Sequence, residues 1–278
     1  MKQERAEALT KRAYSDAQKE WNRLEKQPSN WLEFETTLRY LNTLLPRKGR
    51  ILDVGGGPGR YSIYLAKKGY RMTLLDLSVQ HVKFARERAK KEKVIDKFEE
   101  FFVGSMLDLS RFPSNAFDSV LCLGGPLSHI ANEKNRIRAL SEMVRVAKKN
   151  ALIFVSVMSK FGTLSTPLAF FSKEVRLTKH MMELTLEGED TMWQNKYYTH
   201  YFTLDETRKL FSKIRNVKVL KEVGLEGLSS TWSDKYIRTF QKDKKAWKNW
   251  ITVHNIMCEI PTVVDTSRHF LIVARKTR

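Results

Sequence analysis

The residues best suited to chemistry begin with Ile51–Arg60, ILDVGGGPGR, where apolar residues run into Asp53 and then four glycines within five positions. Glycine has no Cβ and adopts positive φ freely, so a small molecule can pass close to such a backbone. Three ligand classes compete for the stretch. A phosphate loop needs a closing Gly-Lys-Ser/Thr, which is absent. A nicotinamide dinucleotide asks for G-x-G-x-x-G. Counted from Gly55 the sixth position is Arg60, and from Gly57 it is Ser62, a near miss. The third reading takes Asp53, Gly55, Gly57 and Gly59 as D-x-G-x-G-x-G, and that match is complete.

Further acids, glycines and histidines stand where apolar runs end. Asp76 closes RMTLLD, Gly104–Asp108 follows Phe98–Val103, and Gly124–His129 follows Phe117–Leu123 (FDSVLCL). A carboxylate such as Asp76 can accept two hydroxyl groups. His129 is the candidate base by position, with His200 and His254 behind it, because neutral imidazole takes up a proton near neutral pH. Packing or helix entry is the plainer account of each. Cys122 lies inside a strand and Cys258 follows Met257, so both read as packed thiols. No His/Cys cluster has zinc spacing, and no metal site is expected.

The elements that position these residues follow from the apolar pattern. Strands are predicted at Arg50–Val54, Arg71–Asp76, Phe98–Val103, Phe117–Leu123, Ala151–Val157, Val217–Val223 and Arg268–Ala274. Helices fall between them: Tyr61–Lys67 stopped by Gly69, a helix capped by Ser78 through about Lys93, Asn132–Lys149 and Thr203–Ile214. Residues 1–45 read as helical, with Trp21, Leu24, Trp31, Phe34, Leu38 and Leu41 at mostly helical spacing. Mostly apolar strands alternating with helices imply a parallel sheet covered on both faces, with ligands outside the strands' carboxyl ends. All of the motifs above follow strand ends and should converge on one edge.

On these residues the chain resembles the class I S-adenosylmethionine-dependent methyltransferases, closely over about 48–158 and weakly over the rest of the sheet. The resemblance implies S-adenosylmethionine as cofactor and S-adenosylhomocysteine as product. It implies that Asp53 orients the glycine loop and faces the ammonium, while Gly55, Gly57 and Gly59 pass the methionyl and ribose portions. Asp76 would accept both ribose hydroxyls, beside Leu77. The family often has Gly-Asp after the third strand, to receive the adenine amino group. Here the pair is Gly104-Ser105, leaving Ser105 to hydrogen-bond, Met106 on the adenine face and Asp108 as the substitute carboxylate. Leu121–His129 takes the fourth-motif position, with Leu123 toward the cofactor. It lacks the Asp/Asn-Pro-Pro-aromatic sequence of amino-methylating enzymes and the Pro-Cys nucleophile of cytosine C5 enzymes. What remains resembles the small-molecule methyltransferases, with His129 as the catalytic candidate that orients the acceptor or takes its proton.

The expected fold is α/β: a Rossmann-like, seven-stranded, mainly parallel sheet with helices on both faces and, by resemblance, an antiparallel last strand. The chain is read as one methyltransferase domain over 1–278. It comprises N-terminal helices 1–47, the cofactor core 48–158, cap insertions 159–202 and 225–267, and segments 203–224 and 268–278 completing the sheet. Both insertions should leave from carboxyl ends and cover the active edge. They hold Trp193, Tyr197, Tyr198, Tyr201, Trp232, Tyr236, Trp247 and Trp250. Tyr198, Tyr201, Trp232 and His254 are expected to reach an aromatic acceptor pocket suited to a planar or cationic molecule. Tyr14 and the N-terminal helices are a further candidate cover.

Composition bounds the partners. With 278 residues, 42% of them hydrophobic, the chain can build one sizeable core. No apolar run reaches the roughly 18 residues of a membrane span, and the charged start MKQERAEALTKR has no apolar signal core. A cytoplasmic protein is expected. The net charge of +19 attracts polyanions. Yet the basic residues are spread over predicted helices near Lys83–Lys93, Arg136–Lys149 and Lys242–Lys248, and read first as solvated faces. The function expected is methyl transfer from S-adenosylmethionine to a small molecule. The alternatives are an RNA methyltransferase using the basic surface and a non-catalytic cofactor-binding regulatory protein.

Overall fold

In a computed structural model of the chain, residues 1–26, 28–190 and 197–278 are described; Trp193 lies outside them. Three helices, α1 (Gln3–Ala13), α2 (Ala17–Lys26) and α3 (Pro28–Leu44), precede the first strand. Then β1 (Arg50–Val54), α4 (Arg60–Lys67), β2 (Arg71–Asp76), α5 (Val79–Lys91), β3 (Phe98–Val103), β4 (Phe117–Cys122), α6 (Glu133–Val146) and β5 (Ala147–Met158) alternate as expected. The first insertion forms α7 (Lys160–Phe170), α8 (Ser172–Val175) and α9 (Thr178–Glu187), and α10 (Leu204–Ser212) leads to β6 (Val217–Gly224). The second forms α11 (Asp234–Lys242), α12 (Lys244–Met257) and α13 (Pro261–Thr266) before β7 (His269–Lys276).

The strands make one seven-stranded sheet of order β3-β2-β1-β4-β5-β7-β6. β1 pairs in parallel with β2 and β4, β2 with β3, and β4 with β5. β7 runs antiparallel to both β5 and β6, so β6 points the same way as β5. Successive strand residues face opposite sides, and each side has its own core. Leu52, Val54, Val120, Cys122, Ile153 and Val155 pack with α6 and α10. Ile51, Leu121, Phe154, Leu271 and Val273 pack with α2, α3 and α4. Both cysteines are buried and free, and burial pushes the Cys122 thiol up to about 12. No described helix is long and apolar enough to cross a membrane.

Two local differences from expectation have physical reasons. The helix predicted to Lys149 ends at Val146, and β5 starts at Ala147, which pairs with Phe117. Lys148 is extended and its Nζ lies 2.7 Å from Asp118 Oδ1, while Asn150 at φ 65° takes up the register shift before Leu152. Arg136, counted among the solvated bases, is buried instead. Its Nε donates to Ile130 O at 3.0 Å and its Nη2 to the Tyr198 hydroxyl at 2.9 Å.

The glycine loop leaves β1 where the strand order turns back, at the crevice between β1 and β4. Gly55 has φ +71°, and a Cβ there would meet Pro126 Cβ at 2.7 Å. Its amide donates to Leu75 O at 2.7 Å, so the loop is pinned to β2 while touching the turn after β4. Gly55→Ala is expected to lower the unfolding free energy by about 2–5 kcal/mol, from left-handed backbone plus overpacking. Gly69→Ala is the control: φ is +95° but nothing lies within 4 Å, so only the backbone cost of about 1–2 kcal/mol applies. Urea denaturation of both variants checks this, and equal losses refute the steric part.

Candidate active site

Asp76 ends β2 and organises the edge. Gly57 N–H donates to its Oδ2 and Ser78 N–H to its Oδ1, both at 2.8 Å, and Gly104 N–H donates to its carbonyl at 3.0 Å. One residue thus joins the glycine loop, the start of α5 and the turn after β3. Ser78 caps α5 through its hydroxyl, as expected. The cap also brings round His81, a residue the sequence reading passed over. His81 is buried with both ring nitrogens lacking hydrogen-bond partners, its Nδ1 3.4 Å from Asp76 Oδ1.

A cavity opens along this edge, with about 1040 Å³ of empty space counting its open mouth. Of the expected cofactor residues, Gly55, Gly57, Asp76, Leu77, Ser105, Met106 and Leu123 line it, and so does His129. Asp53 and Gly59 do not; they shape the loop from behind. Asp53 is buried beneath Gly56, receives the Ser62 hydroxyl on Oδ2 at 2.6 Å, and leaves Oδ1 without a partner. Gly59 is the left-handed N-cap of α4. Asp108, the expected substitute carboxylate, is exposed and accepts from Ser110 N–H at 3.0 Å, outside the cavity walls.

The roof is the N-terminal region. Glu7, Thr10, Lys11 and Tyr14 from α1 and its end, with Glu20, Arg23 and Leu24 from α2, face the glycine loop across the cavity. Their spacing was the available signal: positions 7, 10, 11 and 14 share one helical face. Gln3 and Ala6 anchor α1, the first by accepting Ala131 N–H at 2.8 Å, the second by packing on Ala131 and Tyr198.

His129 sits at the acceptor end. Its Nδ1 lies 2.7 Å from Tyr198 O and its Nε2 3.0 Å from the Tyr14 hydroxyl. A carbonyl only accepts, so Nδ1 carries the proton and Nε2 receives the Tyr14 O–H. Burial lowers the His129 pKa, against a raising influence of the Tyr198 carbonyl. Burial also raises Tyr14 to about 12, reinforced by Glu20. At neutral pH this is a neutral phenol donating to a neutral imidazole.

The four residues expected to line an acceptor pocket are committed elsewhere. Tyr198, Tyr201, Trp232 and His254 are absent from the cavity walls. The Tyr198 hydroxyl lies between Arg136 and Glu189, and that of Tyr201 donates to Asp190 at 3.3 Å. Trp232 packs with Tyr236, Phe240 and Trp250, the cap's own aromatics. His254 Nε2 is 2.9 Å from Thr36 Oγ1. His200 is held between Glu189 and Glu206 at 3.1 and 2.6 Å. Among the described residues, the first insertion reaches His129 through the Tyr198 carbonyl and through the Thr199 hydroxyl, 3.4 Å from Nδ1.

Behind the cavity lies a buried charge chain. Arg23 Nη1 is 2.9 Å from Glu33 Oε2, Glu33 is 3.9 Å from His269 Nδ1, and His269 Nδ1 is 2.7 Å from Glu226 Oε1. Ligand atoms of Glu33, Glu226 and His269 lie within 4.8 Å of one another, and Arg23 already supplies a cation beside them. Burial pushes the Glu226 carboxyl up, but His269 outweighs it and holds the group down to about 2.

The sheet order, the glycine loop and Asp76 at the switch point define a Rossmann-like methyltransferase fold. Residues 51–150 match the family described as "Methyltransferase domain". Over those residues the chain is thus similar to methyltransferase domains, in agreement with its fold. It is similar to the Bacillus subtilis protein YqeM, 29% identical over 46% of this chain and 50% of that one. It is similar also to the ubiquinone biosynthesis O-methyltransferase of Xanthomonas euvesicatoria, 32% identical over 48% of this chain and 51% of that one. The chain thus spans about half the length of the curated relatives it matches. A crystal structure of a SAM-dependent methyltransferase from Methanosarcina mazei shares the fold, with TM-score 0.59 and 21% identity over 85% of this chain and 96% of that one.

Asp53 yields a pH-dependent test. Burial raises its carboxyl to about 6, opposed by the Ser62 hydroxyl and reinforced by Asp76. A carboxyl raised by folding binds its proton more tightly folded than unfolded. Stability should therefore fall as pH rises from the unfolded value of about 3.9 through about 6. Asp53→Asn removes that slope, with an expected gain of up to about 3 kcal/mol at neutral pH that vanishes near the unfolded pKa. Urea denaturation across this range measures it; a gain independent of pH contradicts the assignment.

Proposed function

We propose that this chain transfers a methyl group from S-adenosylmethionine to a small molecule held between the turn after β4 and the roof of α1 and α2. The observation that carries the reading is the continuity of one cavity from Asp76 to the His129–Tyr14 pair. The residues fit the cofactor. Asp76 uses each oxygen for only one backbone amide, which leaves lone pairs for a ribose diol. His81 offers unpartnered ring nitrogens beside it. The loop at Gly55 and Gly57 has no side chain to keep a ligand away, Ser105 and Met106 flank the adenine end, and Leu77 and Leu123 supply apolar walls. Asp53 and Gly59 act by holding the loop in shape.

When bound, S-adenosylmethionine supplies a methyl group already activated on a sulfonium. The chain's residues then need to bind, align and exclude water more than to generate a reactive group. His129 is placed for the one proton step an acceptor hydroxyl or ammonium requires. Its tautomer is fixed by the Tyr198 carbonyl, and its lowered pKa keeps Nε2 free of a proton at neutral pH. An acceptor donates to Nε2 in place of Tyr14, or passes its proton through the Tyr14 hydroxyl.

The roof favours a small acceptor over a polynucleotide, because α1 and α2 close the edge that a strand would have to enter. Exposed bases on α5, α6 and α12 lie on separate helices. The relative named for ubiquinone biosynthesis also supports a small-molecule acceptor.

Calorimetry with S-adenosylhomocysteine tests the reading. Asp76→Ala should weaken binding about tenfold or more, since hydrogen bonds to a charged group contribute about 1.5–3 kcal/mol. His129→Ala should leave that affinity nearly unchanged while lowering turnover of an acceptor by about 10²–10⁴. Unchanged affinity in the Asp76 variant removes the ribose assignment, and full turnover in the His129 variant removes the base.

A further inference from the structure

We propose that Glu7, on the roof helix α1, accepts the exocyclic amine of the cofactor's adenine, so that the lid itself reads the base. The inference rests on the methyltransferase reading above and adds a specificity-determining residue from outside the cofactor core.

Charge sets the direction in which the ligand lies. The cavity crosses the carboxyl edge from Gly104–Met106 after β3, past Asp76 and the glycine loop, to Leu123 and Gly124 after β4. With the ribose at Asp76, the purine must extend to one side and the methionyl carboxylate to the other. Arg23 stands at the β4 end, its Nη2 3.6 Å from where a Gly124 Cβ would be. Glu7 stands at the β3 end, its Oε1 2.7 Å from Ser105 Oγ. A ligand carboxylate is drawn to the guanidinium and repelled by the glutamate, so the purine takes the β3 end.

There the amine needs an acceptor. The carboxylates on the cavity wall are Glu7, Glu20 and Asp76. Glu20 lies 3.5 Å from Arg23, on the opposite side, and Asp76 belongs to the ribose position. Asp108 points away. Glu7 Oε1 receives the Ser105 hydroxyl and, at 3.2 Å, the Gln3 amide, which together fix the carboxylate's orientation. Among the described residues Oε2 accepts no hydrogen bond. An ionised carboxylate has about four acceptor positions, so capacity remains for an N–H donor. Ser105 thus acts as the bracket that presents a carboxylate carried by α1, where the expectation from sequence put the carboxylate on the β3 turn itself.

The chemistry separates two close analogues. Adenine presents an amine to Glu7; hypoxanthine presents a carbonyl oxygen, which a carboxylate repels. The experiment is calorimetry of the full chain with S-adenosylhomocysteine and with S-inosylhomocysteine, in the wild type, Glu7→Gln and Glu7→Ala. The wild type should prefer the adenosyl compound by about tenfold or more, because a site built around a hydrogen bond rejects the analogue that cannot make it. In Glu7→Gln, whose amide can donate to the carbonyl, the preference should collapse or invert; in Glu7→Ala it should collapse. A preference kept intact in both variants overturns the proposal, while leaving the methyltransferase reading standing. A wild type that binds neither compound removes both. A purely structural role for Glu7 would weaken the two ligands equally and leave their ratio unmoved, which also counts against it.

Discussion

The arrangement at this edge depends on one buried aspartate being shared, through its carboxylate and its carbonyl, among three backbone segments. Asp76 spends its side-chain oxygens on Gly57 N–H and Ser78 N–H, and its carbonyl on Gly104 N–H. Each amide begins a different turn, so the spacing of the turns after β1, β2 and β3 follows from the length of one aspartate. The charge has a cost. Asp53, buried close behind the loop, is raised in part by Asp76. Asp53 Oδ1 has no hydrogen-bond partner, so an uncompensated buried carboxylate oxygen lies beneath the glycine turn.

Of the roof, α1 is the lightly fastened part, and its fastenings among the described residues fall largely on residues that also form the site. α1 is held by Gln3 to Ala131, Ala6 to Ala131 and Tyr198, Glu7 to Ser105, and Tyr14 to His129. Its contact with the core through Ala6 is small, and most of its residues are exposed or half-buried. An element with so few apolar contacts opens at low free energy relative to the sheet. The Tyr14–His129 and Glu7–Ser105 bonds thus tie the imidazole and the β3 turn to the same helix.

What the sequence made legible was local. The D-x-G-x-G-x-G spacing, the strand ends at Asp76 and Val103, and the Ser78 cap are each decided within a few residues, and strand alternation then brings them to one edge. Tyr198, Tyr201, Trp232 and His254 were misplaced because the argument for them was topological. A segment leaving a carboxyl end is delivered to the right edge, but which side chains face inward depends on long-range partners such as Arg136, Asp190 and Thr36. Glu7 and Arg23 were invisible for the converse reason. They lie far in sequence from the motifs, and although the N-terminal helices were a candidate cover, nothing local says which of their side chains meet the glycine loop. The face shared by Glu7, Thr10, Lys11 and Tyr14 was readable, but not what it faced.

The second insertion nonetheless bears on the site through the charge chain behind the cavity. Arg23 comes from α2, Glu33 from α3, Glu226 from the segment after β6 and His269 from the start of β7. Signs alternate along the chain, which offsets the desolvation that any one of these buried groups would suffer alone. Burial lowers the His269 pKa, yet Glu33 and Glu226 together raise it above its ordinary value, so the pair holds a charged imidazole deep in the fold. Ser267, just before β7, donates its hydroxyl to Glu226 Oε2 at 2.9 Å and receives Glu226 N–H at the same distance. A guanidinium held this way has little rotational freedom, because its carboxylate partner is fixed by groups at the far end of the chain. Arg23, on the cavity wall, is therefore braced through Glu33 by residues more than two hundred positions away, and the segment after β6 holds that wall in place without forming it.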